Sequence, residues 1–450
     1  MNRKSIGFTI SEYKIFFRNL LVLSRSHERF YLLNSNRSAN LPEDKYSDFD
    51  LLVGIGSIDE LKVNTDSFEA LKEYYDSNHD WLFGYFGYDL KNENSKLTSK
   101  NFDGLCFSEI HFFRPRFVVE VQGSNAEISF DPDYDDLTDV KLFVEQLMDA
   151  NQNYSDRKTF SSSFEIRNRT SKHEYLEDVK KILAHIQRGD IYELNYCQEF
   201  YNDEAQIDPI ETYQALNEFS PMPFSCFYRI GERYLICASP ERFLKKSGTK
   251  IISQPIKGTI ARSKDDSGDF LQKEKLLSNS KERSENVMIV DLVRNDLSRA
   301  AKKGSVNVEE LFGIYSFPHL HQMMSTVTSE MRSDVHWADV IRHAFPMGSM
   351  TGAPKIRAMQ LIEQYEKAKR GLFSGAVGYV TPGEDFDFNV VIRSIIYNAE
   401  RKYLSFMAGS AITANSNPEK EYEECLLKAK AFFEIFSAEK KPAQKYLHHA

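Results

Sequence analysis

The sequence lacks the features that mark secreted, membrane-embedded and nucleic-acid-binding proteins. It has no run of about 18 apolar residues, so no segment is expected to span a membrane. The opening stretch, MNRKSIGFTISEYKIFF, lacks the apolar core and small-residue cleavage site of a signal peptide. Acidic residues outnumber Lys and Arg by 66 to 57, and no basic stretch is long enough to follow a phosphate backbone. These absences predict a cytoplasmic protein that binds neither membrane nor nucleic acid.

Several common sites of chemistry are also missing. The five cysteines are odd in number and scattered, and none stands in C-x-x-C spacing, so we expect reduced thiols and no structural zinc. No Walker A motif, H-E-x-x-H motif or ordered Ser-His-Asp set occurs. In contrast, aromatic residues are abundant, with 33 Phe and 23 Tyr, which is typical of extended β-sheet cores.

The order of helical and strand-like patterns predicts an α+β protein. Ser171 and Glu174 have the spacing of a capping box, and the apolar period that follows predicts a helix that ends at Gly189. Near the C-terminus, GLFSGAVGYV and FDFNVVIRSIIYN flank a Pro-Gly-Glu-Asp turn, which predicts a hairpin. A last helix is expected from Asn417-Pro418 onward. Long helices between antiparallel strand pairs favour α+β over a parallel doubly wound sheet.

Two regions are expected, one over residues 1–150 and one over residues 165–440, both interwoven in one compact unit. The acidic DPDYDDL and the polar, serine-rich NQNYSDRKTFSSSF that follows it are the predicted linker between them.

Two predicted helices each carry a pair of carboxylates one turn apart. Glu282 and Glu285 precede the apolar NVMIVDLVRNDL, and Glu421 and Glu424 stand on the last helix with Lys428 one turn further on. Such pairs most often form a solvated helix face. If the two pairs face each other, they form an oxygen-rich site suited to Mg²⁺.

Anion-binding residues are predicted around FPMGSMTGAPKIRAMQLIEQYE. A glycine-containing loop opens a helix there, with Pro354 near the first turn, and the backbone N–H groups of such a start favour an anion. Lys355 and Arg357 add positive charge. Arg393 and Tyr379 lie on the two strands of the predicted hairpin and are expected to be neighbours, with Arg393 suited to bind a carboxylate. A surface arginine is the alternative.

Lys257 is the most unusual residue of the sequence. It stands in IISQPIKGTIAR, a β-branched run typical of a strand, where a lysine either points to solvent or is held for chemistry. With the anion loop, the carboxylates and Arg393, it indicates an enzyme that acts on a small polycarboxylate with metal assistance.

These segments, in this order, resemble the chorismate-utilising enzymes, a family that includes the component I chains of anthranilate and aminodeoxychorismate synthase and the isochorismate and salicylate synthases. The motifs that carry the resemblance are SPERF at 239–243, PIKGT at 255–259, ENVMIVDLVRNDL at 285–297, GSMTGAPKIRAMQLIE at 348–363, SGAVGYV at 374–380, VVIRS at 390–394 and EYEECLLKAK at 421–430. The resemblance covers about 170 to 440 and implies large antiparallel sheets packed as a sandwich with helices outside.

The resemblance also implies an activity. Lysine at position 257 is typical of the aminodeoxychorismate synthases, whereas anthranilate synthases typically have alanine. It implies that Lys257 attacks C2 of chorismate as the 4-hydroxyl leaves, that Glu241 manages the proton of that hydroxyl, and that ammonia then replaces the lysine by attacking C4. Anthranilate synthase component I and a non-catalytic chorismate-binding subunit are the alternatives.

The same resemblance implies the remaining site residues and a partner. Glu285 and Glu424 would hold Mg²⁺, with Glu282 and Glu421 behind them through water. The residues implied to bind chorismate are Thr259, Thr351, Gly352, Tyr379, Arg393, Gly409 and Lys428. Cys106, in DGLCFSEI, lacks the glycine-flanked context of a glutaminase nucleophile, so we expect a separate glutamine amidotransferase subunit to supply ammonia.

Three positions depart from the family's pattern. Gln322 stands where many relatives have an active-site histidine, and His321, one residue earlier, is expected to point elsewhere on a regular strand. Glu193 occupies the place of a general-base lysine in the water-adding relatives. Ser410 and Ala411 replace glycines of a glycine-rich strand end, which narrows the room for close backbone approach.

Overall fold

The computed structural model describes residues 3–37, 41–63, 65–150 and 164–436. Among these residues the helices are α1 (Tyr13–Leu23), α2 (Ser67–Asn78), α3 (Lys91–Ser95), α4 (Leu137–Met148), α5 (Lys172–Gln187), α6 (Pro209–Phe219), α7 (Asp266–Ser278), α8 (Ser280–Ser298), α9 (Trp337–Ala344), α10 (Lys355–Tyr365), α11 (Pro418–Lys428) and α12 (Lys430–Phe436). Short 3₁₀ turns occupy Tyr88–Leu90 and Gly348–Met350. In these described segments no helix is both long and apolar enough to cross a membrane.

The strands of the N-terminal part are β1 (Lys4–Thr9), β2 (Arg29–Asn34), β3 (Leu51–Ile55), β4 (Asp59–Leu61), β5 (Leu82–Phe86), β6 (Ile110–Arg114), β7 (Phe117–Gln122) and β8 (Asn125–Phe130). Those of the C-terminal part are β9 (Arg167–Asn168), β10 (Glu193–Asn202), β11 (Phe224–Ile230), β12 (Arg233–Ser239), β13 (Arg242–Ser247), β14 (Lys250–Gln254), β15 (Ile256–Ala261), β16 (Asn307–Ser316), β17 (Leu320–Glu330), β18 (Gly352–Ala353), β19 (Ala376–Val380), β20 (Phe386–Val390), β21 (Ser394–Asn398) and β22 (Tyr403–Thr413).

These strands form two antiparallel sheets. The larger runs in the order β1-β8-β7-β3-β2-β11-β12-β21-β22-β10-β18, with β9 paired to β10. The smaller runs β15-β17-β14-β13-β20-β19-β5-β6-β4, with β16 paired to β17. Each sheet joins strands from both halves of the chain, since β2 pairs with β11 in one and β5 with β19 in the other.

The main hydrophobic core fills the space between the sheets. It combines Tyr31 and Leu52 of the larger sheet with Phe83, Phe112 and Phe388 of the smaller one, all almost fully buried. A second core lies on the outer face of the larger sheet, under α1, α4, α6 and α12. A third joins α5, α10 and α11 to β10 and β22. The predicted sandwich of antiparallel sheets with helices outside is therefore confirmed.

The local signals for helices located their ends well. Ser171 and Glu174 form the predicted capping box of α5, and Gly189 follows its last turn with a φ of 81°. The last predicted helix begins at Pro418, with the Asn417 side chain accepting a hydrogen bond from the Lys420 N–H.

The predicted hairpin is only partly correct. Strands β19 and β20 pair as expected, from Ala376 with Val390 to Val380 with Phe386. FDFNVVIRSIIYN, however, is two strands in different sheets, because β20 ends at Val390 and β21 pairs with β12 of the larger sheet. Arg393, with a φ of 52°, stands in the short connection between the sheets.

The predicted linker also needs correction where it can be described. The acidic segment DPDYDDL is packed, with Asp131 and Asp135 buried and Asp135 ion-paired to Arg116 at 2.6 Å. The rest of the proposed linker, over 151–163, lies outside the described residues.

Candidate active site

Lys257 is only 10% exposed and is paired with a carboxylate. It belongs to β15, whose pairing with β17 shifts register between Ile256 and Thr259. Gly258, at a φ of 99°, supplies the backbone conformation for this bulge, and a bulge re-aims the neighbouring side chain. The Lys257 Nζ atom donates a hydrogen bond of 2.5 Å to Oε1 of Glu193, the first residue of β10.

The charge of Lys257 is held by several acidic groups. Burial by itself lowers the pKa of the lysine, but the carboxylates of Glu193, Glu285 and Glu424 outweigh burial and raise the pKa above its ordinary value. The second oxygen of Glu193, Oε2, is buried and has no hydrogen-bond partner in the described part of the chain. In this state the lysine is therefore a stable ammonium ion.

Glu241 is a second titratable group near Lys257. It follows β12, is 4% exposed, and accepts a hydrogen bond of 2.6 Å from the Ser349 hydroxyl. Burial raises the pKa of Glu241 to about 7, although Ser349 and the charge of Lys257 both favour the carboxylate. Glu241 can therefore carry or release a proton near neutral pH, as an acid–base catalyst requires.

The two predicted carboxylate pairs lie on α8 and α11, and Lys281 of α8 contacts one glutamate of each pair. Burial raises the pKa of Glu285 to about 7 and also raises that of Glu282. On α11, Glu421 is 3% exposed, and its buried Oε2 atom has no partner among the residues described. Glu424 of the same helix pairs with Lys428 at 2.6 Å. Burial opposes ionisation of Glu424, but Lys428 outweighs it and the pKa of Glu424 is lowered.

Within the described ranges, no group of three or more His, Cys, Asp or Glu side chains converges as a metal site. The donor chemistry nevertheless fits Mg²⁺, which takes carboxylate oxygens together with water. The buried Oε2 atom of Glu421 is an oxygen of this kind, and no described residue hydrogen-bonds to it. Lys281, on the first turn of α8, lies between the helices and contacts both Glu285 and Glu421.

The glycine-containing loop lies against the start of β10. Gly352, at a φ of 148°, packs so closely on this strand that an added Cβ atom would stand 2.1 Å from the Glu193 carbonyl oxygen. Thr351 is fully buried, and its carbonyl accepts a hydrogen bond of 2.8 Å from the Asn195 N–H. Opposite them, the Gly409 carbonyl accepts a hydrogen bond of 2.8 Å from Lys428. The loop, β10 and α11 thus border one site.

Arg393 is a free cation at this site. Its guanidinium makes no hydrogen bond or ion pair to any residue that the structure describes. Burial lowers its pKa, while the charge of Glu424 acts in the opposite direction. An arginine that is largely shielded from water and has no partner among the described residues is suited to bind an anion.

The prediction that Tyr379 and Arg393 are neighbours is wrong. Tyr379 is not a neighbour of Arg393, because it pairs with Asp387 in the hairpin and packs against Phe49 and Trp81, with its hydroxyl 3.5 Å from Asp48. The structure places it between the sheets, among these aromatic rings.

Lys355 does not add free charge to the loop. It is 16% exposed and bound to Asp296 at 2.5 Å, whereas Arg357 is partly exposed and bonds to Gln360. Of the remaining predicted residues, Thr259 is exposed on β15, opposite Gln322 of β17.

His321 and Gln322, at the place where many relatives have an active-site histidine, point in different directions. As expected, His321 points elsewhere, because its ring bonds to Ser316 and to Asp269 of α7, each at 2.9 Å. Gln322 is 4% exposed, and its Oε1 atom has no partner among the residues described.

Sequence reasoning missed the buried groups that hold the site in place. Arg370 donates to Glu366 through two nitrogens, at 2.6 and 2.9 Å, and to the carbonyls of Met350 at 2.6 Å and Asn195 at 2.8 Å. Asn286 donates to the Lys257 carbonyl at 3.5 Å. No local pattern distinguishes these residues from surface ones.

Residues 24–434 match the family of chorismate binding enzymes, and the chain belongs to this family. It is 40% identical over 266 residues to aminodeoxychorismate synthase component 1 of Klebsiella aerogenes. The aligned residues make up 59% of this chain and 58% of the relative. It is 32% identical over 368 residues to anthranilate synthase component 1 of Aquifex aeolicus, covering 78% and 73%. The chain thus spans less than two thirds of the length of the K. aerogenes relative.

A solved structure shares the fold. Anthranilate synthase component I from Streptococcus pneumoniae TIGR4 superposes with a TM-score of 0.75 at 23% identity, covering 88% of this chain and 94% of that one. The family match and the K. aerogenes relative confirm the resemblance that the sequence motifs indicated.

Proposed function

We propose that the chain converts chorismate and ammonia to 4-amino-4-deoxychorismate, the precursor of 4-aminobenzoate and folate. The observation that carries the proposal is Lys257, a lysine only 10% exposed that pairs with Glu193 and lies near Glu241. Lysine is a nucleophile only as the free amine, and a side chain so little exposed adds little to solubility, which supports a role in the chemistry.

The chemistry divides between Lys257 and Glu241. The lysine first loses a proton to water, and its amine forms a bond to C2 of chorismate. The two conjugated double bonds of the ring shift together and the C4–O bond breaks, while protonated Glu241 gives its proton to the departing hydroxyl, which leaves as water. Ammonia then attacks C4, both double bonds shift back, and the C2–N bond breaks to release the lysine as the free amine. The new ammonium group returns a proton to Glu241.

Chorismate is a dicarboxylate, and the site supplies cations for it. Arg393 has no partner among the described residues, which suits it to a carboxylate. Lys428, which pairs with Glu424 and donates to the Gly409 carbonyl, adds positive charge, and the backbone of Thr351 and Gly352 borders the pocket. Glu285 and Glu424 would hold Mg²⁺, with Glu282 and Glu421 behind them through water. When bound, the ion supplies positive charge to the ring carboxylate.

The ammonia source in this proposal is a separate glutamine amidotransferase subunit. The support is the name component 1 carried by relatives such as the K. aerogenes protein. Neither Cys106 nor the four buried cysteines stands in a glutaminase-like setting. A second candidate is anthranilate synthesis, favoured by the match to the A. aeolicus relative over 78% of this chain.

Product analysis separates these functions. The purified chain is incubated with chorismate, Mg²⁺ and ammonium chloride at mildly alkaline pH, and products are resolved by chromatography and mass. Aminodeoxychorismate is the expected product, and anthranilate would refute the proposed branch. If neither forms, adding a glutamine amidotransferase with glutamine tests the need for a partner, and continued absence of product would favour a non-catalytic chorismate-binding chain.

Two variants test the assigned roles. Lys257→Ala is expected to abolish aminodeoxychorismate formation, whereas Lys250→Ala, which removes a surface lysine of β14, should leave it unchanged. Normal turnover by Lys257→Ala would remove the covalent mechanism. Glu285→Gln should raise the Mg²⁺ concentration needed for half-maximal rate, and an unaltered requirement would show that the ligand assignment is wrong.

A further inference from the structure

Lys281 bridges the two helices that carry the acidic pairs. It lies on the first turn of α8, and its Nζ atom is 3.7 Å from Oε1 of Glu285 on the same helix. The same nitrogen is 3.5 Å from Oε1 of Glu421 on α11. One ammonium group therefore contacts a carboxylate of each pair.

Lys281 alone does not balance the negative charge of Glu285 and Glu421, the two carboxylates that it contacts. Glu421 is 3% exposed, and its Oε2 atom has no hydrogen-bond partner among the described residues. Glu285 is 6% exposed, and its nearest donors are Lys281 and Thr413, whose hydroxyl is 3.4 Å away. Buried carboxylate oxygens without partners are costly, so this place favours a further cation.

We propose that Lys281 is an internal counter-ion that occupies the place of a divalent cation between α8 and α11 and thereby sets the affinity of this site. The inference rests on the Mg²⁺ site of the proposed function. An ammonium group and Mg²⁺ repel each other and compete for the same oxygens, so the lysine must withdraw when the ion binds. Its side chain is 38% exposed, which gives the ammonium group a path to water.

This competition predicts opposite effects of one variant on two measurements. Lys281→Met removes the competing charge, so the full-length protein should bind Mg²⁺ on the order of tenfold more tightly, measured by titration calorimetry without chorismate. The same variant should lower the Tm of the metal-free protein, because the acidic pairs lose their counter-ion. The rise in Tm on adding Mg²⁺ should therefore be larger than in the wild type.

Two controls isolate the role of the charge. Lys281→Arg keeps a cation at this position and should bind Mg²⁺ with nearly the wild-type affinity. Lys180→Met removes a lysine from an exposed helix pair with Glu177 and should change neither affinity nor Tm. Glu421→Gln removes one of the competing oxygens and should weaken Mg²⁺ binding.

Unchanged or weaker Mg²⁺ binding by folded Lys281→Met, or equal tightening by Lys281→Arg, would overturn the inference. No Mg²⁺ binding by the wild type would overturn it together with the proposed metal site. If Lys281→Met binds Mg²⁺ more tightly but the wild type forms no aminodeoxychorismate, the inference stands and the proposed activity fails.

Discussion

Replacing Glu193 with glutamine gives a direct measure of the charge state of Lys257. The amide keeps the size of the side chain and can still accept the hydrogen bond from Nζ, but it removes the negative charge. Because Glu193 is the strongest of the carboxylates that raise the pKa of Lys257, its neutralisation should lower that pKa. In Glu193→Gln the free amine should therefore appear at lower pH.

The size of the effect follows from the geometry. The two side chains are 10% and 2% exposed and 2.5 Å apart, so solvent screens the pair weakly. A hydrogen bond to a charged group contributes about 1.5–3 kcal/mol, and one pKa unit corresponds to about 1.36 kcal/mol. The pH at which Lys257 becomes reactive should fall by about one to two units.

Pulse labelling with an amine-specific acylating reagent measures this without substrate. The modified fraction of the peptide that contains Lys257 is followed by mass spectrometry as a function of pH, with the exposed Lys180 as an internal standard for the reagent. An unchanged or higher midpoint in folded Glu193→Gln would refute the argument that this carboxylate holds the lysine protonated.

Further expectations concern proton transfer and stability. Glu241→Gln should lower kcat on the order of 100-fold or more. The wild-type rate should rise with pH as the free amine of Lys257 increases and should level off at about pH 7, where Glu241 loses its proton. Ser349→Ala removes a hydrogen bond that favours the carboxylate, so this break should move to higher pH in a pH–rate profile. Gly352→Ala should lower the free energy of unfolding in urea by about 2 kcal/mol or more, because the new Cβ meets a backbone oxygen. Glu366→Gln leaves Arg370 buried without its counter-charge and should cost about 3–5 kcal/mol in the same assay, with little loss indicating that solvent reaches the arginine.

Local chemistry was sufficient for much of the fold. The capping box at Ser171, the proline at position 418 and the turn at 382–385 determine where elements begin and end, because each acts within a few residues. The aromatic content correctly indicated sheet cores. The failure at 386–398 has a physical cause, since β20 and β21 are equally apolar and only the turn at Arg393 sends them to different sheets.

The site could be predicted in parts but not as an arrangement. The helical spacing of the glutamates and the strand position of Lys257 were evident, whereas the pairing of Lys257 with Glu193 joins residues 64 positions apart. The pairing of Lys355 with Asp296 likewise joins residues that are distant in the sequence, so the sequence alone predicted a free cation. Such pairs depend on how helices and sheets pack, which no local pattern encodes.

Near neutral pH, Glu241 and Lys257 both carry a proton, which suits the acid but not the nucleophile. Glu241 is protonated below about pH 7 because it is buried, so the acid is ready near neutral pH. Lys257 is also protonated there, because three carboxylates surround it, so the nucleophile is not ready. The reaction needs protonated Glu241 and the free amine of Lys257 at the same pH, and a lower pKa of Lys257 increases the fraction of protein in which both are present. Glu193→Gln is therefore expected to keep its turnover at neutral pH, and a loss of turnover with a lower labelling midpoint would mean that Glu193 itself takes part in the reaction.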